Sequence, residues 1–289
     1  MESAIGIIGG SGLYEMEDLE DVREVEVSTP FGPPSDVLVE GRLDGRRLVF
    51  LPRHGRGHRF LPSEVPYRAN IWALKSLGVE WVISVSAVGS LEEDVRPGEI
   101  CLPDQFLDRT WGRENTFFGE GIVGHVAMAD PVCADLQQVV WDTREAVGVP
   151  FHRGGVYVCI QGPQFSTRAE SFWYRGIGAR VIGMTNATEA RLAREAELCY
   201  TTVALVTDYD CWHETEEEVS VEAVLEVLRR NVDTARRIVR EAAARIPAAR
   251  TCACREAARH AILTDPARIP PETRRRVGLL FGRYLEGRG

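Results

Sequence analysis

The chain has 289 residues, enough for one large α/β domain or two small ones, and its 44% hydrophobic share can fill a core. Its 43 acidic residues outnumber 34 basic ones, a formal net charge of −9, which excludes the basic surface field that nucleic acid or an anionic membrane requires. No apolar run approaches the ~18 residues of a membrane helix, and Met1-Glu2-Ser3-Ala4 lacks the basic segment of a secretory signal, so a cytoplasmic protein is expected.

Ala4-Ile5-Gly6-Ile7-Ile8 is predicted as the first strand, broken by Gly9-Gly10-Ser11-Gly12. Backbone N–H groups in such a turn can approach an anion where no side chain intervenes. The G-x-G-x-x-G and G-x-x-x-x-G-K fingerprints are both absent, and a plain tight turn explains the glycines equally well. Strands over 36–41 and 46–51 flank Asp44-Gly45, a hairpin signal. The second runs into Arg53-His54-Gly55-Arg56-Gly57-His58, where the glycines argue against a helix. A guanidinium fork beside an imidazole suits a phosphate there; a solvated basic loop is the alternative. Lys75 is the only lysine, and its place in a predicted helix over 70–77 removes a phosphate-loop or Schiff-base lysine. After Gly78, a strand over 79–85 delivers Ser86-Ala87-Val88-Gly89-Ser90, hydroxyl and backbone donors for the same anion.

The glycine-rich stretch 110–124 is a loop of the length that is often functional. A helix over 135–147 and a strand over 154–160 lead to Gln161-Gly162-Pro163-Gln164-Phe165-Ser166, where Phe165 can pack on a planar ring. Thr167-Arg168-Ala169-Glu170 matches a capping box. A strand over 180–184, Thr185-Asn186 and a helix over 187–198 precede the β-branched run 199–206, a buried strand that ends in Thr207-Asp208-Tyr209-Asp210-Cys211-Trp212.

If the backbone stays extended there, Asp208 and Asp210 face one side. Two close carboxylates resist joint ionisation, so one is expected to hold a proton near neutral pH. A protonated Asp donates to a ring nitrogen while its ionised neighbour accepts from an exocyclic amine. An acidic turn capping the strand is the plainer alternative.

Past an acidic loop over 214–218, Ser220 is expected to cap a helix to about residue 244, with Val221, Val224, Leu225, Leu228 and Val232 at helical spacing. The tail from Pro247 carries Cys252-Ala253-Cys254 and helical stretches over 255–263 and 272–285, and it reads as an appendage of the same domain. None of the seven cysteines forms a C-x-x-C, so no metal is expected. Cys101, Cys159 and Cys211 read as buried small hydrophobes, and whether Cys133, Cys199, Cys252 and Cys254 are bridged stays open.

Six motifs stand in a recognisable order: Gly9-Gly10-Ser11-Gly12-Leu13, Thr29-Pro30-Phe31-Gly32, Pro52-Arg53-His54-Gly55, Gln161 to Ser166, Met184-Thr185 and Thr207 to Trp212. With them the chain resembles the methylthioadenosine phosphorylase family of the purine nucleoside phosphorylase superfamily. The resemblance implies a single-domain α/β fold of three α/β/α layers around a mixed, partly barrel-like sheet. Residues 1–248 would form the phosphorylase domain and 249–289 a helical extension of it. It implies phosphate-dependent cleavage of S-methyl-5′-thioadenosine to adenine and 5-methylthioribose 1-phosphate, a step of purine and methionine salvage. Inorganic phosphate would be the co-substrate, with no metal or organic cofactor.

By the same resemblance Ser11, Arg53, His54, Ser86, Ala87 and Thr185 would hold phosphate, and Met184 would pack on the ribose. Phe165 and Ile182 would flank the purine, with Asp208, the catalytic acid, and Asp210 at N7 and the 6-amino group. Ser166, Val221, Val224 and Leu225 would shape specificity and the 5′-methylthio pocket. His125 would reach a neighbouring subunit's site in a trimer or a dimer of trimers.

Two departures stand out. Asn186-Ala187 leads to Thr188-Glu189 where relatives commonly have Pro-Glu, a change expected to affect helix capping more than chemistry, and Ser11 and Ser86 replace frequent threonines. The rival within the superfamily is a phosphorylase for 6-oxopurine nucleosides or S-methyl-5′-thioinosine, which usually carries Asn in place of Asp208. A nucleoside hydrolase using paired carboxylates is a further alternative.

Overall fold

The computed structural model describes residues 3–213 and 221–285, with the side chains of Ser11 and of residues 221–230 outside that description. The expected acidic loop over 214–218 and the Ser220 cap lie outside the described residues.

The first strand, β1 (Ala4–Gly9), is buried along its whole length, as a parallel strand covered on both faces must be. β2 (Glu20–Val25), β3 (Leu38–Leu43) and β4 (Arg46–Pro52) form an antiparallel flank. β3 and β4 are joined through Asp44 and Gly45, both at positive φ (49° and 76°), the backbone of a type I′ hairpin turn. α1 (Tyr67–Ser76) leads to β5 (Val79–Ser90), the strand on which the sheet is built. β6 (Ile100–Leu102), β7 (Gln105–Arg109), α2 (Ala134–Trp141), α3 (Arg144–Val147), β8 (Phe151–Arg153) and β9 (Val156–Ile160) follow. Then come α4 (Arg168–Gly176), β10 (Ala179–Gly183), α5 (Asn186–Glu195), β11 (Cys199–Asp208), α6 (Val221–Arg245) and α7 (Pro271–Leu285).

The eleven-stranded mixed sheet runs β2-β3-β4-β1-β5-β10-β9-β7; β11 branches from β5, β6 pairs with β11, and β8 with β6. Along β1 the side chains alternate between the two faces: Ile5 and Ile7 join α2, α3 and α6 in one apolar core, while Ala4 and Ile8 join α1, α5 and α7 in the other. Three layers result, as expected. The tail shares both cores, since Val277 and Phe281 of α7 pack into one and Cys254 into the other. Among the described residues no helix is long and apolar enough to cross a membrane.

Several elements depart from expectation. β5 continues five residues past the expected end and carries Ser86 to Ser90 as strand, because β11 pairs with it as far as Gly89. The expected helix 135–147 is two pieces, and the Thr143 hydroxyl between them donates to the Val140 carbonyl at 2.7 Å, a local bond that competes with helix continuation. Residues 255–263 are not a helix; a short 3-10 turn, Ala253–Glu256, is followed by further turns. β2 was not anticipated, since Glu20-Asp21-Val22-Arg23-Glu24-Val25 is an exposed edge strand with little apolar alternation.

Candidate active site

On one edge of β5, β1 pairs as far as Ser84 and β10 pairs only with Gly89 and Ser90. Between them the sheet opens beside Val85 to Val88, and such a divergence at strand carboxyl ends is where open α/β sheets bind ligands. A cavity of about 320 Å³ fills the opening, the size of a small-molecule site. It is lined by Gly10, Gly12, Arg53, His54, Ser86, Ala87, Gly89, Phe165, Ile182, Met184, Thr185, Asp208 and Asp210, among others. Most of the expected site is thus brought to one wall-to-wall space.

One end is polar and basic, but its groups do not act as expected. Arg53 is 3% exposed and its fork is turned onto Glu189, with Nε donating to one carboxylate oxygen and Nη2 to the other at 3.2 Å. It also donates to Ser84 Oγ at 2.6 Å and to the Val85 carbonyl at 3.0 Å. Only one of a guanidinium's five donors is left over, so the expected open fork for phosphate is not present. Burial pulls the Arg53 pKa down, but Glu189 more than restores it and holds the group charged.

His54 Nδ1 lies 2.9 Å from the Phe60 carbonyl. A carbonyl only accepts, so Nδ1 carries the proton. Burial and, next, the Arg53 charge push the His54 pKa down to about 4, which leaves a neutral ring with Nε2 as an acceptor. His54 therefore suits the hydroxyl of a protonated phosphate rather than its anionic oxygens.

Ser86 Oγ is buried with no hydrogen-bond partner among the described residues, an available group at the same end. The Thr185 hydroxyl donates to Asn186 Oδ1 at 3.1 Å. Asn186, expected to matter for capping, is instead fully buried and donates towards Ser84, Tyr200 and Thr202. It belongs to the network that holds Glu189 beneath Arg53.

The other end holds the two acids. Asp208 accepts from Thr207 Oγ1 at 2.7 Å and from the backbone N–H of Asp210 at 2.7 Å. Asp210 sits at φ 53°, so a left-handed turn, not extended alternation, brings both side chains over Gly89. Both carboxyls are pushed above the ordinary Asp range, and burial is the main cause for each. The Asp210 charge contributes least to the shift of Asp208, so the upward shift owes more to desolvation than to the repulsion inferred from spacing.

Trp212 locks this loop, its Nε1–H donating to the Ser90 carbonyl at 2.8 Å under the Arg175 guanidinium. Phe165, 45% exposed, and buried Ile182 stand at the same end.

Ser166 does not line the cavity; its hydroxyl, like that of Ser171, is buried without a hydrogen-bond partner among the described residues. His125 is exposed and away from this chain's cavity. The side chains of Ser11, Val221, Val224 and Leu225 lie outside the described residues. The next turns of α6 bring Val232 and Ala235 to the cavity wall. Cys211 is half-buried rather than buried.

Three contributors escaped the sequence reading. Glu189 gave no local signal, being joined to Arg53 only through the fold. Arg113, inside the flagged loop 110–124, ties the cavity's rim by donating to the carbonyls of Met184 and Gln161 at 2.6 and 2.8 Å. Gly89 is the floor beneath the acids: an added Cβ would lie 2.8 Å from Asp208 Oδ1 and 3.1 Å from Ile182 Cγ2. Gly89→Ala is accordingly expected to fold but to raise KM for a purine nucleoside at least tenfold. An unchanged KM in steady-state assays would show that ligand does not use this end.

The model of the Phosphorylase superfamily matches residues 4–244. The chain is 58% identical to the S-methyl-5′-thioadenosine phosphorylase of Geobacter sulfurreducens over 286 residues, 99% of this chain and 100% of that one. Its fold is similar to a methylthioadenosine phosphorylase from an Antarctic soil metagenomic library, with TM-score 0.92, 48% identity, and 97% and 99% of the two chains covered. A mutant adenosine/methylthioadenosine phosphorylase from Schistosoma mansoni, in complex with methylthioadenosine, matches with TM-score 0.81 and 42% identity over 88% and 95% of the chains.

Proposed function

We propose that this chain, which belongs to the phosphorylase superfamily, cleaves S-methyl-5′-thioadenosine with inorganic phosphate, yielding adenine and 5-methylthioribose 1-phosphate. The observation that carries this reading is one cavity with a desolvated acid pair at one end and a buried guanidinium, imidazole and free serine hydroxyl at the other. The activity of relatives near half identity points the same way.

The chemistry follows from the two poles. As the bond from C1′ to N9 stretches, the ribose gains oxocarbenium character and the purine becomes anionic. Asp208, whose acid form burial favours, delivers its proton to N7, and Asp210 accepts from the 6-amino group. Phosphate, held near Ser11, Ser86, Ala87 and Thr185, attacks C1′ as the purine departs. His54 Nε2 accepts from the phosphate hydroxyl, whose proton is released as the ester forms, while adenine takes one from Asp208. Turnover therefore leaves the solution proton count unchanged. Met184 packs on the ribose and Phe165 and Ile182 on the purine; by the family resemblance Val221, Val224 and Leu225, whose side chains lie outside the described residues, would line the methylthio pocket. No metal or organic cofactor enters these steps.

A homo-oligomer of the trimer or dimer-of-trimers kind fits the surface around His125. Val123 and Leu263, 51% and 68% exposed, lie side by side there, joined by a backbone hydrogen bond of 2.9 Å. His125 would then serve a neighbour's cavity, in a cytoplasmic enzyme.

An acceptor at Asp210 favours a 6-aminopurine, so methylthioadenosine is expected to be cleaved at least tenfold faster than methylthioinosine or inosine, and only with phosphate present. A paired assay with and without phosphate checks both points. Undiminished cleavage without phosphate would make the chain a hydrolase, and faster cleavage of the 6-oxo nucleosides would reverse the base assignment.

A further inference from the structure

At the end of the sheet remote from the cavity, four cysteines from three separate stretches of chain meet. Cys133 precedes α2, Cys199 opens β11, and Cys252 and Cys254 belong to the tail. Their sulfurs all lie within 4.8 Å of one another, and Cys199 Sγ is 3.2 Å from Cys252 Sγ. None is disulfide-bonded. Sulfurs bridged in pairs sit ~2.05 Å apart, whereas four thiolates ~2.3 Å from a central tetrahedral ion stand roughly 3.8 Å from one another. The observed spread brackets the second arrangement and not the first.

We propose that Cys133, Cys199, Cys252 and Cys254 form a closed tetrathiolate site for a zinc-class divalent cation. Soft thiolates select such ions, and four protein ligands leave no open position, which marks a structural rather than a catalytic centre. Cys133, Cys199 and Cys254 are at most 5% exposed, so the ion would be shielded from water. Tetrathiolate zinc carries two net negative charges, and Arg194 stands beside it, Nη1 being 3.8 Å from Cys254 Sγ.

The site's work is to fasten the tail. Cys252 and Cys254 would be tied to the first residue of β11 and to the residue that opens α2, whose N–H already donates to the Tyr200 carbonyl at 2.9 Å. Nine residue steps along β11 separate Cys199 from Asp208, about 30 Å at ~3.3 Å per residue, so metal loss should reach stability without touching chemistry. Zinc was not expected from the sequence because C-x-x-C is missing; here the ligands are gathered from three separate segments.

The test is metal analysis of the full chain, expressed with zinc in the medium and purified with a phosphine reductant and no chelator. One equivalent of zinc per chain is expected. Exchange with cobalt should give the charge-transfer and d–d absorption of a tetrahedral tetrathiolate. The paired change Cys252→Ser with Cys254→Ser should abolish both and lower Tm, while kcat/KM for methylthioadenosine stays within twofold of the parent's. If that variant does not fold, cobalt titration of the parent decides alone. Trace metal with freely titratable thiols would overturn the site. So would an intact mass four hydrogens light in chain purified without the phosphine, which would show the cluster closed as two disulfides.

Discussion

Asp208→Asn is expected to fold as the parent does and to turn over methylthioadenosine about 10²–10⁴-fold more slowly, the usual share of a general acid. Asn keeps the shape, and its oxygen can still accept from the Asp210 backbone N–H. Thr207 Oγ1 retains its second acceptor, the Val88 carbonyl at 3.2 Å. What Asn cannot do is surrender a proton to the departing base.

The pH profile separates this role from a merely structural one. Burial raises the folded-state pKa of Asp208, so the acid form persists to higher pH than in an ordinary carboxyl. Stability from this group is present below its unfolded pKa and lost as pH rises through the folded one. A neutral Asn therefore costs no stability at neutral pH. Parent kcat/KM should fall along an alkaline limb as Asp208 deprotonates, and the variant should lack that limb. Near-parental turnover by a folded variant would remove Asp208 from the chemistry. The measurements are steady-state kinetics across pH and a melting curve.

The residues of the site were largely legible in the sequence, but their relations were not. Asp208 and Asp210 were found because two acids follow an apolar strand. Extended alternation, however, was the wrong geometry, since Asp210 is left-handed at φ 53°, and a local pattern carries no φ. The raised pKa was right in direction and largely wrong in cause, because burial is a tertiary quantity while spacing suggested charge repulsion.

Arg53 and His54 showed the same limit. Their side-chain types announced an anion site, yet Glu189 and the Phe60 carbonyl determine which of their nitrogens remain available, and neither partner could be read from the loop itself. Ser86 to Ser90, small and polar, looked like the loop after a strand; pairing with β11 makes it strand. The convergence of the four cysteines was invisible for the same reason, since they come from three separate stretches of chain. The three-layer fold, by contrast, was implied by the resemblance that six ordered motifs carry, and β1, buried throughout with its side chains alternating between two cores, accords with it.

Glu189→Ala is expected to destabilise the chain by about 3–5 kcal/mol, the cost of leaving a buried charge without its partner. Glu189 is 2% exposed and accepts from Ser84 Oγ at 2.6 Å and Tyr200 OH at 3.0 Å as well as from Arg53. Its removal orphans a guanidinium and two hydroxyls together. Urea unfolding measures the loss, and a midpoint equal to the parent's would mean that the pair contributes nothing. Glu189→Gln separates stability from ligand binding. The amide preserves shape and one acceptor but removes the charge that balances Arg53, so the guanidinium would face the cavity less compensated. Inorganic phosphate should then take over part of the carboxylate's role. Since a ligand stabilises by RT ln(1 + [L]/Kd), tighter phosphate binding should appear as a larger phosphate-induced rise in Tm than in the parent. A rise no larger than the parent's would place phosphate beyond the influence of Arg53 and leave Ser86, Ala87 and Thr185 to hold it.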